Sequence, residues 1–124
     1  MFNTNKMTVT CLDLEGVLIP EIWEGLARLS KIDDLKLTTR DIADYDDLMR
    51  LRLKICDQHK LTLREIHQVV EQMEPLDGAF EFLSWLRKRN EVIILSDTFR
   101  EFVEPLLHKL QYPTVFCHSL KLDD

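Results

Sequence analysis

Apolar and polar positions alternate between two kinds of pattern along the chain. Met7–Leu14 reads M-T-V-T-C-L-D-L, β-branched in the middle and apolar toward its end, which predicts a buried strand that runs out at Asp13. Glu91–Ser96, E-V-I-I-L-S, holds four consecutive apolar residues and ends on a polar one. A near-continuous run of this kind suits a strand covered on both faces, as in a parallel sheet. Pro113–Cys117, P-T-V-F-C, predicts a third strand, with proline at the first position, where it is tolerated.

Helical patterns separate these strands. Pro20–Leu29 carries Ile22, Trp23, Leu26, Ala27 and Leu29, with Pro20 suited to a first turn. Tyr45–Cys56 is apolar over more than one face. Thr62-Leu-Arg-Glu65 is a capping box that opens a helix through Gln72. Asp77 is expected to cap the next helix, with Phe80, Phe82, Leu83, Trp85 and Leu86 on its buried side and Arg87-Lys88-Arg89 in its last turn. Thr98-Phe-Arg-Glu101 predicts a second capping box, for a helix that reaches about Leu110 and is bent by Pro105.

The order is strand, about four helices, strand, helix, strand. Glu91–Cys117 forms a βαβ unit, which implies an α/β fold with a parallel sheet. The helical stretch 21–75 is too long for a simple crossover and reads as a small cap subdomain inserted into a core made of 1–20 and 76–124. No internal repeat is visible.

Composition narrows the function classes. The chain has 124 residues, 22 acidic and 16 basic, for a net charge of −6. That balance argues against a nucleic-acid partner, which needs Lys/Arg stripes for the phosphate backbone. No run of 18 apolar residues predicts a membrane span, and Met1–Val9 lacks the pattern of a signal peptide. Three widely spaced cysteines, Cys11, Cys56 and Cys117, suit a reducing cytoplasm better than a disulfide framework, and Cys11 reads as core. The four histidines show no ligand spacing with them.

Ligands of open α/β sheets bind outside the carboxyl ends of the strands. Two polar tips fall there. Asp13-Leu-Glu15-Gly16 offers two carboxylates at i and i+2 and a glycine that lets backbone approach a ligand. Ser96-Asp97-Thr98 offers a hydroxyl and the start of a helix, suited to an anion. A carboxylate faces a phosphate when a divalent cation lies between them or when the carboxylate itself attacks phosphorus. Strand-end acids also serve as caps and turn formers, and the pattern alone leaves both readings open.

Three stretches carry a resemblance: C-L-D-L-E-G-V-L-I-P-E-I-W at the first tip, T-T-R-D-I-A-D-Y-D-D-L-M in the helical insert, and V-I-I-L-S-D-T-F at the second strand. In this order they resemble the haloacid dehalogenase-like phosphatases, and within them the branch of bifunctional phosphoserine phosphatase/homoserine phosphotransferases. Glu15 stands where the usual D-x-D-x-[TV] motif has its second Asp, a departure that suits this branch. The resemblance implies a Rossmann-like parallel sheet with a helical cap, and a Mg²⁺-dependent serine-biosynthetic enzyme acting on L-phosphoserine, with water or homoserine as acceptor.

Roles follow position by position from that resemblance. Asp13 would be the nucleophile and a Mg²⁺ ligand, assisted by the backbone carbonyl of Glu15. The Glu15 side chain would be the general acid and base. Ser96 would hydrogen-bond phosphoryl oxygens, with backbone N–H groups near Gly16 and Asp97. Glu21 would meet the substrate ammonium and Arg52 its carboxylate, a bidentate match. Without the resemblance, Glu21 reads as a first-turn acid, Arg52 as an ion-pair partner of a neighbour such as Asp57, and Asp97 as a helix cap.

The family pattern continues, beyond a third strand, with a phosphate-neutralising Lys and an acidic pair that completes the metal site. Neither Lys121 nor Asp123-Asp124 matches it, because both sit too close to the third strand. The expectation is therefore a fragment whose sheet is cut short after that strand, with low activity in isolation. A non-catalytic remnant or interaction module is the alternative, and its exposed sheet edge is a route to a homodimer.

Overall fold

The computed structural model describes residues 2–123. The chain runs β1 (Val9–Leu12), α1 (Ile22–Ser30), a 3₁₀ turn (Asp33–Lys36), α2 (Tyr45–Gln58), α3 (Leu63–Val70), α4 (Ala79–Arg87), β2 (Glu91–Phe99), α5 (Arg100–Lys109) and β3 (Val115–His118). The three strands form one parallel sheet in the order β1-β2-β3. The expected α/β class and parallel sheet are both present.

The register aligns Leu12, Ile94 and Val115 in one row across the sheet. This row faces the helices, and Ile94 is fully buried. Side chains alternate across a strand, so the neighbours on β1, β2 and β3 point the other way. There Val9, Leu95 and Phe116 are exposed, the last two at 50% and 58%. The two-sided cover expected from the apolar run is thus half realised. A sheet that grows in one direction through crossovers of one hand keeps its helices on one face. The buried residues of α4 and α5 join one cluster with Ile94, so both helices cover that face. Cys11 lies on the open face as well, exposed rather than in the core.

The covered side carries a single apolar cluster. It joins Leu14, Leu18 and Ile19 after β1 to Ile22 and Leu26 of α1, Ile66 and Val70 of α3, and Phe102, Val103 and Leu106 of α5. Thr62 and Glu65 form the expected capping box, which opens α3. Pro20 precedes the first turn of α1 rather than entering it, and Glu21 is the N-cap.

Two expected caps do not form. Gly78, in the left-handed region at φ 79°, is the N-cap of α4, and Asp77 lies one residue too early. β2 continues through Thr98, which is buried in the strand, so Phe99 becomes the N-cap of α5. Glu101 is left to accept from the Leu120 amide at 2.8 Å. The face of α4 also differs from the expectation. Ala79, Leu83 and Leu86 point inward, whereas Phe80, Phe82 and Trp85 are exposed. Phe82 stacks on Trp85 at 6.3 Å, and the Arg89 guanidinium lies 4.4 Å from the Trp85 ring.

Pro105 sits inside α5. It has no N–H for the carbonyl four residues back, that of Glu101. His67 of α3 supplies the missing donor, its Nε2 bonding to the Glu101 carbonyl. Lys109 ties the same two helices at their other end. Its Nζ donates to the carbonyls of Glu71 at 2.8 Å and Met73 at 2.7 Å, and to Glu74 Oε1 at 2.7 Å. These bonds satisfy main-chain carbonyls of the turn that follows α3.

Candidate active site

The site is built at the carboxyl ends of β1 and β2. After Leu12 the chain folds into a tight loop, in which the Gly16 amide donates to the Ile19 carbonyl at 2.7 Å and the Leu18 amide to the Leu14 carbonyl at 2.8 Å. Leu14, Leu18 and Ile19 are buried and pin the loop from beneath. Polar residues are thereby left on its upper side. Gly16 has φ 76°, and a Cβ there would come within 3.3 Å of Glu21 Oε1. Glycine therefore both permits the turn and leaves room for the Glu21 carboxylate.

Glu15 is half-buried, and its Oε1 accepts from the Ile22 amide at 2.9 Å. Its pKa is pushed up to about 7, first by burial and then by the charges of Glu21 and Asp97, against the lowering effects of the Ile22 hydrogen bond and Arg52. Glu21 is raised too, by burial and by Asp13, Asp97 and Glu24. Asp13 is exposed at the strand tip, and its Oδ1 accepts from the Leu14 amide at 2.7 Å.

On β2, the register with β3 passes from Leu95–Phe116 to Phe99–His118, so the stretch between them bulges. The bulge lifts Ser96, Asp97 and Thr98 out of the ladder. Ser96 Oγ accepts from the Thr98 amide at 3.2 Å, which leaves the Ser96 hydroxyl proton free to donate to a ligand.

The opposite wall is helical. Arg52 is 8% exposed and makes no ion pair with Asp57. Its Nη2 donates to the Leu37 carbonyl at 2.7 Å, and its guanidinium lies 4.9 Å from the Trp23 ring centroid. Its Nε is buried without a partner. Burial lowers its pKa, opposed by the carboxylates of Glu15, Asp97 and Glu21. It stays charged, as arginine does in proteins. One guanidinium edge is thus fixed to the wall while the charge faces a group of acids.

Between the walls lies a cavity of about 590 Å³. Glu15, Glu21, Arg52 and Asp97 all line it, so four of the six residues singled out in the sequence are brought together. Asp13 and Ser96 lie outside that lining, at the strand tips beside it. Trp23, Arg40 and Tyr45 also line it and were not anticipated. Their sequence signal is that all three lie in the stretches that carry the resemblance, Trp23 on α1, Arg40 in a turn before α2 and Tyr45 at the start of α2. Among the described residues, no three His, Cys, Asp or Glu side chains stand together as a cation site. A pocket with several acids and a buried guanidinium suits a zwitterion, whose ammonium and carboxylate each find a partner.

The fold is that of an α/β protein with a polar cleft at the strand ends of its parallel sheet. A solved structure of phosphoserine phosphatase in apo form superposes with a TM-score of 0.73 at 20% identity, over 96% of this chain and 58% of that one. In sequence the chain is a relative of two curated proteins. It is 56% identical over 118 residues to phosphoserine phosphatase ThrH of Pseudomonas aeruginosa, and 53% identical over 116 residues to a phosphoserine phosphatase of Pseudomonas syringae pv. tomato. The matches take in 95% and 94% of this chain but 58% and 49% of those relatives, so it spans about half their length. No family model matches it. No helix among the described residues is long and apolar enough to cross a membrane.

Proposed function

We propose that this chain carries the nucleophile-bearing and amino-acid-binding part of a phosphoserine phosphatase/homoserine phosphotransferase site. The observation that carries the reading is Glu15, a half-buried carboxyl with a pKa near 7, in one cavity with Glu21 and Arg52. A carboxyl poised near neutral pH can give a proton and take it back, the requirement for general acid–base work.

In the proposed reaction, Glu21 meets the ammonium of L-phosphoserine and Arg52 its carboxylate. An Asp13 oxygen attacks phosphorus as the bond to the seryl oxygen breaks, and Glu15 gives that oxygen its proton. The aspartyl-phosphate is then attacked by water or by the homoserine hydroxyl, whose proton returns to Glu15 as the bond from phosphorus to the Asp13 oxygen breaks and frees the carboxylate. Water yields hydrolysis and homoserine yields transfer. Ser96 donates to the phosphoryl oxygens. The residues present do not fit a complete Mg²⁺ site, since Asp13 and one carbonyl are a weak anchor for a cation that prefers several fixed oxygens. The Mg²⁺ of the proposal therefore needs carboxylates from further polypeptide, as does the phosphate-neutralising Lys. The free cysteines suit a cytoplasmic setting.

The test is phosphate release from L-phosphoserine with and without Mg²⁺, for the chain and its Asp13→Asn variant. Each missing electrostatic partner costs on the order of 10²–10³-fold, so the expected turnover is slow and abolished by Asp13→Asn. Fast Mg²⁺-dependent turnover would sink the requirement for further polypeptide, and turnover indifferent to Asp13→Asn would sink the nucleophile. The open apolar face of the sheet favours a second reading, an interaction module without catalysis. Binding of L-phosphoserine with no turnover on adding the complementary half of a relative would support it.

A further inference from the structure

The cavity has two walls, and Arg52 is anchored to only one of them. Its hydrogen bond goes to Leu37 and its ring contact is with Trp23, both on the helical side. α2, which carries Arg52, packs mainly on the 3₁₀ turn before it. The bonds that fasten the helical stretch to α5 come from α3 and the turn after it, through His67 and the carbonyls held by Lys109. At the cavity mouth a different bond joins the walls. Tyr45, the first residue of α2, donates its phenolic O–H to the main-chain carbonyl of Asp97 at 2.7 Å, across 52 residues of sequence. The Asp44 side chain caps the same turn by accepting from the Asp47 amide at 2.9 Å, which fixes the helix start from which Tyr45 projects.

Tyr45 and Arg52 are seven residues apart, two turns of helix, and therefore share a face. The acceptor lies in the bulged segment of β2, next to Ser96. It is a backbone carbonyl, so the bond does not depend on the charge state of the Asp97 side chain. The Tyr45 ring also lies 6.3 Å from that of His118, at the end of β3. Burial and the nearby charges of Asp97 and Glu15 keep the phenol protonated, as a donor must be.

We propose that Tyr45 is a positioning residue: its bond to the Asp97 carbonyl latches α2 onto the strand tips and so sets the distance from Arg52 to the reacting end of the cavity. The inference rests on the amino-acid-phosphate reading of the site. It assigns Tyr45 a role in recognising the carboxylate-bearing half of the ligand, through Arg52 rather than by direct contact.

The experiment uses the Trp85→Phe chain, which leaves Trp23, in the cavity wall, as the fluorescent reporter. Binding of L-phosphoserine is compared with that of phosphoethanolamine, which lacks the carboxylate. Tyr45→Phe keeps the ring and removes one hydroxyl. It is expected to weaken L-phosphoserine binding about 3- to 10-fold, the value of one hydrogen bond, and to leave phosphoethanolamine within about 2-fold. Arg52→Lys should show the same selectivity, and the double variant should lose less than the product of the two. An equal loss for both ligands, or no loss, overturns the proposal. Hydrogen exchange without ligand gives a second readout. Tyr45→Phe should speed exchange over the first two turns of α2 and leave α3 protected, and unchanged α2 exchange also overturns the latch. If the parent chain binds neither ligand, the functional reading fails and the latch is judged on exchange alone.

Discussion

The two faces of the sheet are made from similar residues and have opposite fates. Leu12, Ile94 and Val115 form a row under the helices, while Leu95 and Phe116, one residue further along β2 and β3, face outward. Both sets are apolar, so composition does not separate them. What separates them is that α4 and α5 pack on one side, as crossovers of the same hand require in a sheet that grows in one direction. The open side is a surface of the kind that marks an interaction site, and both outer strands pair with β2 alone among the described residues.

That contrast can be broken by mutation. Ile94→Ala removes a side chain from the closed face and should destabilise the chain by about 2–5 kcal/mol, measured by urea unfolding. A loss below about 1 kcal/mol would mean that the helices do not seal this side.

The next largest effect comes from Glu15, where the covered side continues beyond the sheet. Its folded-state pKa of about 7 lies above the ordinary 4.5, so between these values the folded chain holds a proton that the unfolded chain has released. Stability should therefore fall as pH rises through that window, by up to about 3 kcal/mol, and level off above it. Glu15→Gln should flatten that dependence and be the more stable form at pH 8. Parallel curves for the two proteins would show that Glu15 is solvated like an ordinary surface acid.

The smallest effect belongs to the open face. Phe116→Ser should change stability by no more than about 0.5 kcal/mol while reducing the binding of a hydrophobic dye. A cost near that of Ile94→Ala would end the distinction between the faces.

Much of this architecture was legible along the chain. The apolar runs marked all three strands, and Thr62 with Glu65 marked a cap, because these signals act over a few residues. The strand ends pointed to Asp13, Glu15 and Ser96 for the same local reason. Errors arose where a local signal had a non-local competitor. Thr98 resembles a cap, but pairing draws β2 past it, and Phe82 and Trp85 are apolar yet lie on the outer side of α4.

By itself the sequence determined the class of fold, the order of its elements and the acids at the strand tips, since period, capping and strand ends are properties of neighbouring residues. Tertiary structure alone decided which sheet face is open, and it alone placed Arg52 on Trp23 within reach of the charge of Glu15. It also chose His67 to satisfy the carbonyl that Pro105 leaves free, and Tyr45 to bridge to Asp97. A proline announces that a hydrogen bond is missing, and a tyrosine that one can be made. The partner in each case lies 34 or 52 residues away, and only packing brings it within the 3 Å or so that a hydrogen bond requires.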